Sequence, residues 1–457
     1  MTKDSLPKGW VCIELGFFMK RGTGVVNPAL FPKEEFDLYS IPAYDNLVPE
    51  KLLGTQIGSS KKVVQECDVL LSRIVPHIQR SWIVGPSQGR RQIGSSEWII
   101  FDGSKISAEY LRYFLLSYDF HQKFMKTISG VGGSLTRANP NLTAEFSFPL
   151  PPLPEQHRIV TKIEELFASL DKGIEALKTA QQQLKVYRQA VLKYAFEGRL
   201  THPDLKEGEL PEGWIKTTTG KLIETISNGY TPDKKYLTDA QGEIPFIKIY
   251  NLNFDGTLNY KKNPTFIPRS IHERELKRSR CYPGDVLINI VGPPLGKVSI
   301  VTSHYPEWNI NQAIVLFRPN AKVSSKYLSY FLQSPVTIDW LENTSKATAG
   351  QWNVKVSTCR QIPISLPTSS RYQLKVVEEI EARLSSSENL REIIELGLHQ
   401  SEALRQSILK KAFEGKLVSQ DPNEEPASVL LERIRAGRVA SAPLNKPVAK
   451  KGRRVKA

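Results

Sequence analysis

The side chains best suited to catalysis or metal ligation are spaced too widely to form a recognisable site. The seven histidines include no H-x-x-x-H or H-E-x-x-H pair, the spacing that places two ligands on one helix face. The four cysteines include no C-x-x-C pair; they are Cys12, Cys67, Cys281 and Cys359. Free thiols in a reducing compartment are the simplest interpretation. The sequence therefore predicts neither a metal site nor a disulfide framework.

Three short motifs are compatible with cofactor chemistry, but each is incomplete. Asn263–Phe266 (NPTF) is similar to the N-P-P-[FY] motif with which amino-methyltransferases orient a target amine, yet it lacks the second proline. The glycines of Gly22–Gly24 and Gly130–Gly133 do not continue into G-x-G-x-x-G before a helix, and no G-x-x-x-x-G-K-[ST] is present. Turns explain all three motifs equally well. We predict a chain that binds no cofactor and is not an enzyme.

The chemistry that the composition favours is the binding of a polyanion. The 457 residues carry a formal net charge of +15. An excess of this size suits DNA or RNA, whose phosphates release counterions when lysine and arginine neutralise them. A generically basic protein is the alternative. Part of the excess lies in residues 445–457 (NKPVAKKGRRVKA), which contain no acid and predict a disordered basic arm.

Candidate DNA contacts are cationic, amide and aromatic side chains that the sequence places on loops. Arg, Lys, Asn and Gln can read base edges, and cations and hydroxyls hold phosphates. Two glycine-rich loops, Ser134–Asn139 and Thr348–Lys355, lie at nearly the same position in the two halves of the chain. Ordinary solvated surface is the alternative for each residue. The candidates are Lys20, Arg21, Lys61, Lys62, Arg73, Arg90, Arg91, Arg137, Asn139, Lys248, Tyr250, Asn251, Lys261, Lys262, Lys297, Gln351, Trp352, Asn353 and Lys355.

The sequence segments that form the scaffold for these residues occur twice in the chain. Tyr187–Leu200 (YRQAVLKYAFEGRL) and Leu404–Leu417 (LRQSILKKAFEGKL) share nine of fourteen residues at an offset of 217. "CDVLLSRIVP" and "AEYLRYFLLS" in the first half match "GDVLINIVGP" and "SKYLSYFLQS" in the second at the same offset. "LPKGW" and "LPEGW" match at an offset of 204. Matches in one order over so long a period indicate the duplication of a whole domain with its connector.

Each half predicts a globule followed by a long helix. Short β-branched runs such as "EWIIF" and "KVSIV" predict strands joined by turns. No proline then occurs from Glu155 to Glu197, where apolar or small residues recur with 4-3 spacing from Ile159 to Tyr194, as in a coiled-coil seam. The second helical stretch, about 370–414, has a rougher seam. Each helix of roughly 43 residues would be about 65 Å long and would need a partner.

These patterns predict an α+β fold with a pseudo-twofold internal duplication: two similar α/β domains separated by two long helices that form an antiparallel coiled coil. The predicted divisions are a first recognition domain at 1–152, a first helical region at 153–200, a second recognition domain at 201–366, a second helical region at 367–417, and a C-terminal segment with a short helix and a basic tail at 418–457. Two dissimilar basic domains a fixed distance apart predict an asymmetric, two-part site on duplex DNA.

Several phrases carry a resemblance to a known family. They are "SNGYTPDKKYL" with "GEIPFIKIYNL", "GDVLINIVGPPLGKVSIV", "NINQAIVLFRP", "FPLPPLPEQHRIVTKIEELF", both "AFEG" helix ends and "EEPASVLLERIRA". On these phrases the chain resembles the specificity subunit of type I restriction-modification systems along nearly its whole length. The first globule departs from the pattern, because "FFMKRGTGVVNP" stands in place of "SNGYTP" and "RQIGSSEWIIF" in place of "NINQAIVLF".

The resemblance implies two target recognition domains on double-stranded DNA and a set of partner proteins. Two methyltransferase subunits would methylate adenine on each strand, and nuclease/translocase subunits would join for restriction; these partners would supply S-adenosylmethionine, ATP and Mg²⁺. The helical regions would hold the methyltransferases. The residues expected to contribute are Glu155, Gln156, Arg158, Arg188, Gln189, Phe196, Arg405, Gln406 and Phe413.

Two alternatives stay open: a single-chain methyltransferase with its own recognition domains, and a coiled-coil protein that binds only other proteins. No apolar run approaches the ~18–20 residues of a membrane span. The N-terminus also lacks the unbroken apolar core of a signal peptide. The sequence therefore predicts a cytoplasmic protein that does not bind membranes.

Overall fold

The computed structural model describes residues 6–129, 136–239, 241–261, 263–292, 294–345, 347–348 and 351–440, without the side chains of 347–348, 351–352 and 439–440. The chain forms two units. The first comprises Met1–Ala176 with Gly397–Ala457, and the second comprises Leu177–Leu396. Among the described residues, no helix is both long enough and apolar enough to cross a bilayer.

The described part of the first unit contains two sheets, two strand pairs and short helices. Its strands are β1 (Val11–Glu14), β2 (Val25–Val26), β3 (Glu35–Tyr39), β4 (Glu50–Leu53), β5 (Lys61–Val63), β6 (Asp68–Ser72), β7 (Ser81–Ile83), β8 (Arg91–Gly94), β9 (Trp98–Asp102), β10 (Ile128–Ser129), β11 (Arg137–Ala138) and β12 (Ser147–Leu150). Its helices before the long one are α1 (Ala108–Leu115), α2 (Tyr118–Met125) and α3 (Pro140–Ala144). The strand pairs are β1–β12 and β10–β11.

The central strands of the two sheets in the first unit are largely buried. One sheet has the order β2-β5-β8-β3-β4, in which β3 and β8 are parallel. The other has the order β7-β6-β9, and every residue of β6 is buried. Strand β1 pairs with β12, which immediately precedes the first long helix. The start of this unit is thereby hydrogen-bonded to the end of its globular part.

The second unit repeats this plan after the long helix α4 (Leu153–Phe196). Its strands are β13 (Trp214–Thr218), β14 (Ile223–Asn228), β15 (Thr238–Asp239), β16 (Ile244–Ile247), β17 (Thr265–Ile267), β18 (Arg280–Cys281), β19 (Val286–Asn289), β20 (Val291–Gly292), β21 (Val298–Ile300), β22 (Trp308–Ile310), β23 (Ile314–Pro319), β24 (Ala347–Thr348), β25 (Gln351–Asn353) and β26 (Pro363–Pro367). Its helices are α5 (Arg269–Glu273), α6 (Ser325–Leu332), α7 (Pro335–Thr344) and α8 (Val356–Arg360).

The sheets of the second unit correspond to those of the first. The order β15-β17-β16-β22-β18 contains the parallel pair β16–β22, as the first unit contains β3–β8. The order β14-β23-β19-β21 extends the three-stranded sheet by one full strand. Strand β13 pairs with β26, just as β1 pairs with β12. The duplication predicted from sequence is therefore a duplication of strand pairing.

The second long helix, α9 (Ser370–Phe413), packs against α4 in both units, and α10 (Ala427–Ala440) follows it. In the first unit, Arg405 of α9 pairs with Asp171 of α4. In the second unit, the Arg188 guanidinium of α4 lies 3.2 Å from a Glu388 carboxylate oxygen of α9. The late part of α9 thus meets the early part of α4, and the early part of α9 meets the late part of α4. The helices form an antiparallel coiled coil, which confirms the predicted fold class.

One detail of the predicted seam is wrong. Tyr187 and Tyr194, which continue the 4-3 spacing, have exposed fractions of 42% and 44%, whereas Arg188 and Ala195 face inward. A straight α-helix has 3.6 residues per turn, so a strict 3.5-residue repeat drifts away from the contact line. The buried line has moved by one residue before the helix reaches its end.

Candidate nucleic-acid interface

A buried aspartate at the start of a central strand organises cations in both units. Asp68 begins β6 and is 1% exposed, and its carboxylate lies 2.5 Å from Lys20 Nζ. Asp285 is 2% exposed just before β19, and it accepts two hydrogen bonds from Arg318 at 2.9 and 2.8 Å. Burial raises the pKa of Asp68, against the lowering effect of Lys20. The equivalent aspartates thus pair with cations from different places in the fold, Lys20 from the loop between β1 and β2 and Arg318 from β23.

The other cations predicted in the first unit are mostly held by internal partners. Lys62 Nζ donates to the Trp98 carbonyl at 2.8 Å, and burial lowers the pKa of this amine. Lys61 Nζ donates to Ser59 at 3.0 Å, and burial lowers its pKa as well. Arg21 is exposed, whereas the Asn139 side chain caps α3 by accepting from Asn141 N. Arg21 is the one of these with the most open surface.

Carboxylates hold the remaining arginines of the first unit. Arg73 and Arg137 both donate to Glu97, at 2.9 and 3.1 Å. Burial alone would raise the pKa of Glu97, but hydrogen bonds from the two guanidinium groups outweigh it and lower the pKa. Two further pairs follow the same rule: Arg90 lies 2.7 Å from Asp37 and Arg91 lies 3.1 Å from Glu34. The fold thus positions these arginines through their carboxylate partners.

In the second unit, the predicted cluster after β16 divides into an exposed part and a buried part. Tyr250 is 40% exposed, and its hydroxyl donates to the Asn263 carbonyl at 3.1 Å. Lys248 Nζ lies 5.9 Å from the centre of the Tyr250 ring. Asn251 is 1% exposed, and its amide bonds to the backbone of Asn259 and Lys248. We therefore assign Asn251 to the fold and leave it out of the proposed contact surface.

In the second unit, β24 and β25 of the predicted glycine-rich loop form a hairpin that pairs with β20. Strand β25 pairs with β20, so that Val291 lies opposite Asn353 and Gly292 opposite Trp352. Asn353 and Lys355 are exposed, as is Lys261, and Lys297 Nζ lies over the Phe254 ring at 5.7 Å. Lys262, the side chains of Gln351 and Trp352, and residues 130–135 of the first glycine-rich loop lie outside the described residues.

Sequence reasoning missed a basic segment before β18. Lys277 and Arg278 are exposed there, and together with Arg280 and Arg318 they line one cleft. The signal was available, because "RELKRSR" holds four cations in seven residues. Two glutamates beside them and the absence of a glycine-rich turn made the segment look like an ordinary solvated surface.

The residues predicted to bind partners include both helix-end phenylalanines, and these pack internally. Phe196 contacts Tyr327 and Phe331 of α6, with ring centres 5.2 and 5.3 Å away. Phe413 contacts Tyr110 and Phe114 of α1, at 5.3 and 5.4 Å. Each of these residues in one unit has its counterpart 217 residues away in the other unit. The repeated "AFEG" ends therefore pack on repeated helices. This packing leaves 4% of each phenylalanine exposed.

Other members of the predicted partner set also have structural roles. Gln156 is buried; its side-chain oxygen accepts from Ser107 N at 2.8 Å and its nitrogen donates to Pro151 O at 2.9 Å. Glu155 is 1% exposed, and burial raises its pKa. The Gln156 arrangement recurs in the second unit, where Gln373 accepts from Ser324 N.

Of the five remaining predicted partner residues, Arg188 faces inward and pairs with Glu388, and the other four lie on the surface or edge of the coiled coil. Arg158 pairs with Glu424, and Arg405 packs over the Phe167 ring at 4.5 Å. Gln406 accepts a hydrogen bond from Tyr118 N at 2.9 Å. Gln189 is exposed. Gln189 is thus the most accessible of the predicted docking residues.

A search of the described ranges finds no group of three or more His, Cys, Asp or Glu side chains that could hold a metal ion. NPTF at Asn263–Phe266 lies at the start of β17, where the Thr265 side chain and the Asn263 carbonyl meet the Tyr250 hydroxyl. This motif forms a turn leading into a strand.

Comparison with known proteins agrees with this architecture. Residues 211–396 match the family model described as type I restriction modification DNA specificity domain. The EcoBI specificity subunit of Escherichia coli is 32% identical over 64% of this chain and 65% of its own length, so this chain spans just under two thirds of that relative. The StySPI specificity subunit of Salmonella potsdam is 26% identical over 96% of this chain and 98% of its own length.

Solved structures show the same fold. A chain from a type I R-M system, studied for its complex assembly and conformational transition, has a TM-score of 0.71 at 22% identity and covers 90% of this chain and 99% of its own. The HsdS subunit from Thermoanaerobacter tengcongensis has a TM-score of 0.51 at 22% identity, over 90% of this chain and 98% of its own. Taken with the duplicated sheets and paired helices, these similarities show that residues 211–396 match a type I restriction modification DNA specificity domain and that the whole fold is similar to that of type I specificity subunits.

Proposed function

We propose that this chain recognises DNA for a type I restriction-modification complex. Each globular domain would read one half of an asymmetric, two-part sequence, and the paired helices would fix the gap between the halves. The observation that carries the proposal is the duplicated framework with different cations: Asp68 and Asp285 hold equivalent places, but Asp68 pairs with Lys20 of the loop between β1 and β2, whereas Asp285 pairs with Arg318 of β23. A conserved framework with different exposed side chains suits two readers of different sequences.

The proposal includes partner subunits that perform the chemistry. Two methyltransferase subunits would modify adenine, and nuclease/translocase subunits would cleave, while this chain would hold them at the site. Exposed Gln189 and the Arg405 surface are the proposed docking residues on the helices. A chain with this role would act in the cytoplasm, where cellular DNA and the partners meet.

The experiment is a methyl-transfer assay with labelled S-adenosylmethionine and a pool of duplexes. The chain alone should transfer no label, and the chain with its methyltransferase should label adenine in a subset of duplexes. Label transferred by the chain alone would favour a single-chain methyltransferase.

A binding assay separates the proposal from a coiled-coil protein that binds only proteins. Retention of duplex DNA on filters should fall steeply as salt rises, because phosphate contacts release counterions. Retention that is absent, or insensitive to salt, would contradict the DNA-reading role.

A further inference from the structure

A strongly cationic cleft of about 380 Å³ lies in the second unit, between the end of β14, the segment before β18, and β23. Four of its seven lining side chains are cations, and the others carry hydroxyl groups. The lining residues are Thr225, Ser227, Lys277, Arg278, Arg280, Tyr282 and Arg318.

Two of the four cations are held in place before any ligand arrives. Arg318 donates to both oxygens of Asp285, and its guanidinium lies 4.7 Å from the centre of the Tyr282 ring. Arg280 donates to the backbone carbonyls of His272 and Glu273, at 3.4 and 3.2 Å. Guanidinium groups fixed in this way lose little conformational entropy when they bind an anion.

The other two cations have no internal anion to neutralise them. Lys277 and Arg278 are exposed, and among the described residues no carboxylate lies within ion-pair distance of either side chain. Ser227 Oγ donates to the Arg278 carbonyl at 2.7 Å, which fixes the backbone of the segment against β14. Asp285 offsets Arg318 alone, so the cleft keeps an excess of positive charge that an anion would neutralise.

The cleft lies at the same end of the sheet as Lys248, one of the residues that the sequence analysis selected as DNA contacts. Strand β14 ends at Asn228 in the "SNGY" loop, and Gly229 N donates to Ile314 O. Asn311 N donates to Ile247 O, at the end of β16 and next to Lys248. Arg280 of β18 pairs with Asn309 of β22, at this same end of the sheet. The cleft and the predicted contact Lys248 therefore lie at the same end of this sheet.

The first unit places basic residues at the corresponding point. Strand β5 is the antiparallel neighbour of β8, just as β18 is the antiparallel neighbour of β22. Lys61, at the start of β5, therefore corresponds in position to Arg278, just before β18. Lys20 and Arg21 follow Met19, which forms a β-bridge with Phe101 of β9. In the second unit, Ser227 lies on β14, which pairs with β23, the strand equivalent to β9. Both units therefore carry basic residues at this end of the sheet, although different residues supply the charge in each unit.

We infer that this cleft binds a backbone phosphate of the DNA duplex at the half-site of the second domain. The inference rests on the proposed function and deepens it, because it separates positioning from reading. Lysine and arginine on phosphate hold the protein in register but carry no sequence information. Lys277 and Arg278 supply the charge, and Arg280, Arg318 and the hydroxyl groups of Thr225 and Tyr282 supply directed donors.

The test compares two double variants of the full chain on the duplex that the wild-type chain selects. Lys277→Ala/Arg278→Ala removes the two exposed cations of the cleft. Lys216→Ala/Lys221→Ala removes the same charge from exposed positions on β13 and the turn after it. DNA binding is measured over a range of salt concentrations, and the preferred sequence is determined for each variant.

We expect the cleft variant to flatten the dependence of log Kobs on log salt by about 0.9, since one lost phosphate contact accounts for about 0.9. Its preferred sequence should stay the same, and the control should keep the wild-type slope. An equal loss in both variants, or no loss in the cleft variant, would overturn the inference. A changed preference at the second half-site would also overturn it, because the residues would then read bases.

A duplex series with one neutral methylphosphonate at each successive position distinguishes a backbone phosphate from a free anion. The wild-type chain should lose affinity at one or two adjacent positions, and the cleft variant should lose nothing further there. Losses in the cleft variant that match the wild type at every position would contradict a backbone contact. If the wild-type chain itself showed no salt-sensitive binding, the proposed function would fail, which is a different result.

Discussion

At the scale of single residues, the glycine that ends each long helix has two structural roles: it adopts a left-handed backbone conformation and it makes room for a proline. Gly198 and Gly415 both have a left-handed backbone, with φ of 80° and 69°. A Cβ added at Gly415 would stand 2.2 Å from Pro7 Cγ, and one at Gly198 would stand 2.4 Å from Pro211 Cγ. Glycine therefore ends the helix and lets the "LP-x-GW" segment lie against that end.

We predict that Gly415→Ala destabilises the protein by more than about 1 kcal/mol, because alanine disfavours the left-handed conformation and would collide with Pro7. Gly173→Ala is the matched control. Gly173 lies within α4, and a Cβ there meets nothing within 4 Å. That control should stabilise the helix by roughly 0.5–1 kcal/mol. Urea unfolding measures both changes, and equal effects of the two variants would refute the prediction.

His272 is a second residue with a defined role in the fold. It is buried, and its Nδ1 accepts from the Asn309 amide at 3.0 Å, while Asn309 Oδ1 accepts from Ser279 Oγ at 2.6 Å. A second proton on Nδ1 would face the amide N–H. Burial and the Arg280 charge lower the pKa of His272, against the raising effect of Glu307.

Because the folded state lowers this pKa, stability from neutral His272 is present above the unfolded value of about 6.5 and is lost as pH falls below it. We predict that His272→Asn, which keeps an acceptor near the Nδ1 position, reduces the loss of urea midpoint between about pH 7.5 and 5.5. His304→Asn is the control, because His304 is exposed. The same pH dependence in wild type and His272→Asn would contradict this assignment.

At the scale of elements, the start of each long helix is tied to a short helix by one buried glutamine. Gln156 and Gln373 each accept from the N-terminal backbone of α1 or α6 and donate to the chain before the long helix. The bond is repeated because the helix start and the short helix are both repeated. It explains why "LPEQ" follows the last strand in the first unit.

We predict that Gln156→Ala lowers the free energy of unfolding by about 2 kcal/mol or more, since it leaves a buried N–H and a buried carbonyl without partners. Gln189→Ala, on the exposed face of the same helix, should leave stability unchanged and weaken binding of the methyltransferase. Calorimetry and a pull-down with the methyltransferase measure the two effects. A stable Gln156→Ala protein would show that water or a neighbouring group replaces the amide.

The sequence predicted most of these elements, because their determinants are local. Glycine and phenylalanine at the helix ends and β-branched runs in the strands all act within a few residues of their own position. The contribution of each cation could not be predicted in the same way. Arg90 pairs with Asp37, and Arg73 and Arg137 share Glu97, so their partners are set by strand pairing over long sequence separations.

The buried line of α4 was misplaced for a related reason. Tyr194 fits the heptad pattern, but the helix ends by inserting Phe196 against Tyr327 and Phe331. That contact turns a different face of the last two turns inward. A repeat counted from the sequence cannot show where a globular domain takes over from the partner helix.

At the scale of the whole molecule, the proposed function makes helix length the determinant of the gap between half-sites. Seven residues inserted in each long helix, after Gln182 and after Ile394, would keep the heptad phase and add about 10 Å. We predict that the gap grows by about three base pairs while both half-site sequences stay the same.

The control inserts the same seven residues into the exposed loop after Asp421, beyond the end of α9. This loop does not lengthen the helices, so the gap should keep its wild-type value. A gap that ignores the paired insertion, or that grows equally with the loop insertion, would contradict a role for the helices in setting the distance.

The most direct measurement of the central claim is methylome sequencing of a host that carries this chain with its methyltransferase. The account predicts methylated adenine in one two-part motif, with two different half-sites and a gap of constant length. Methylation at a continuous motif, at two identical half-sites, or at halves separated by a variable gap would contradict it.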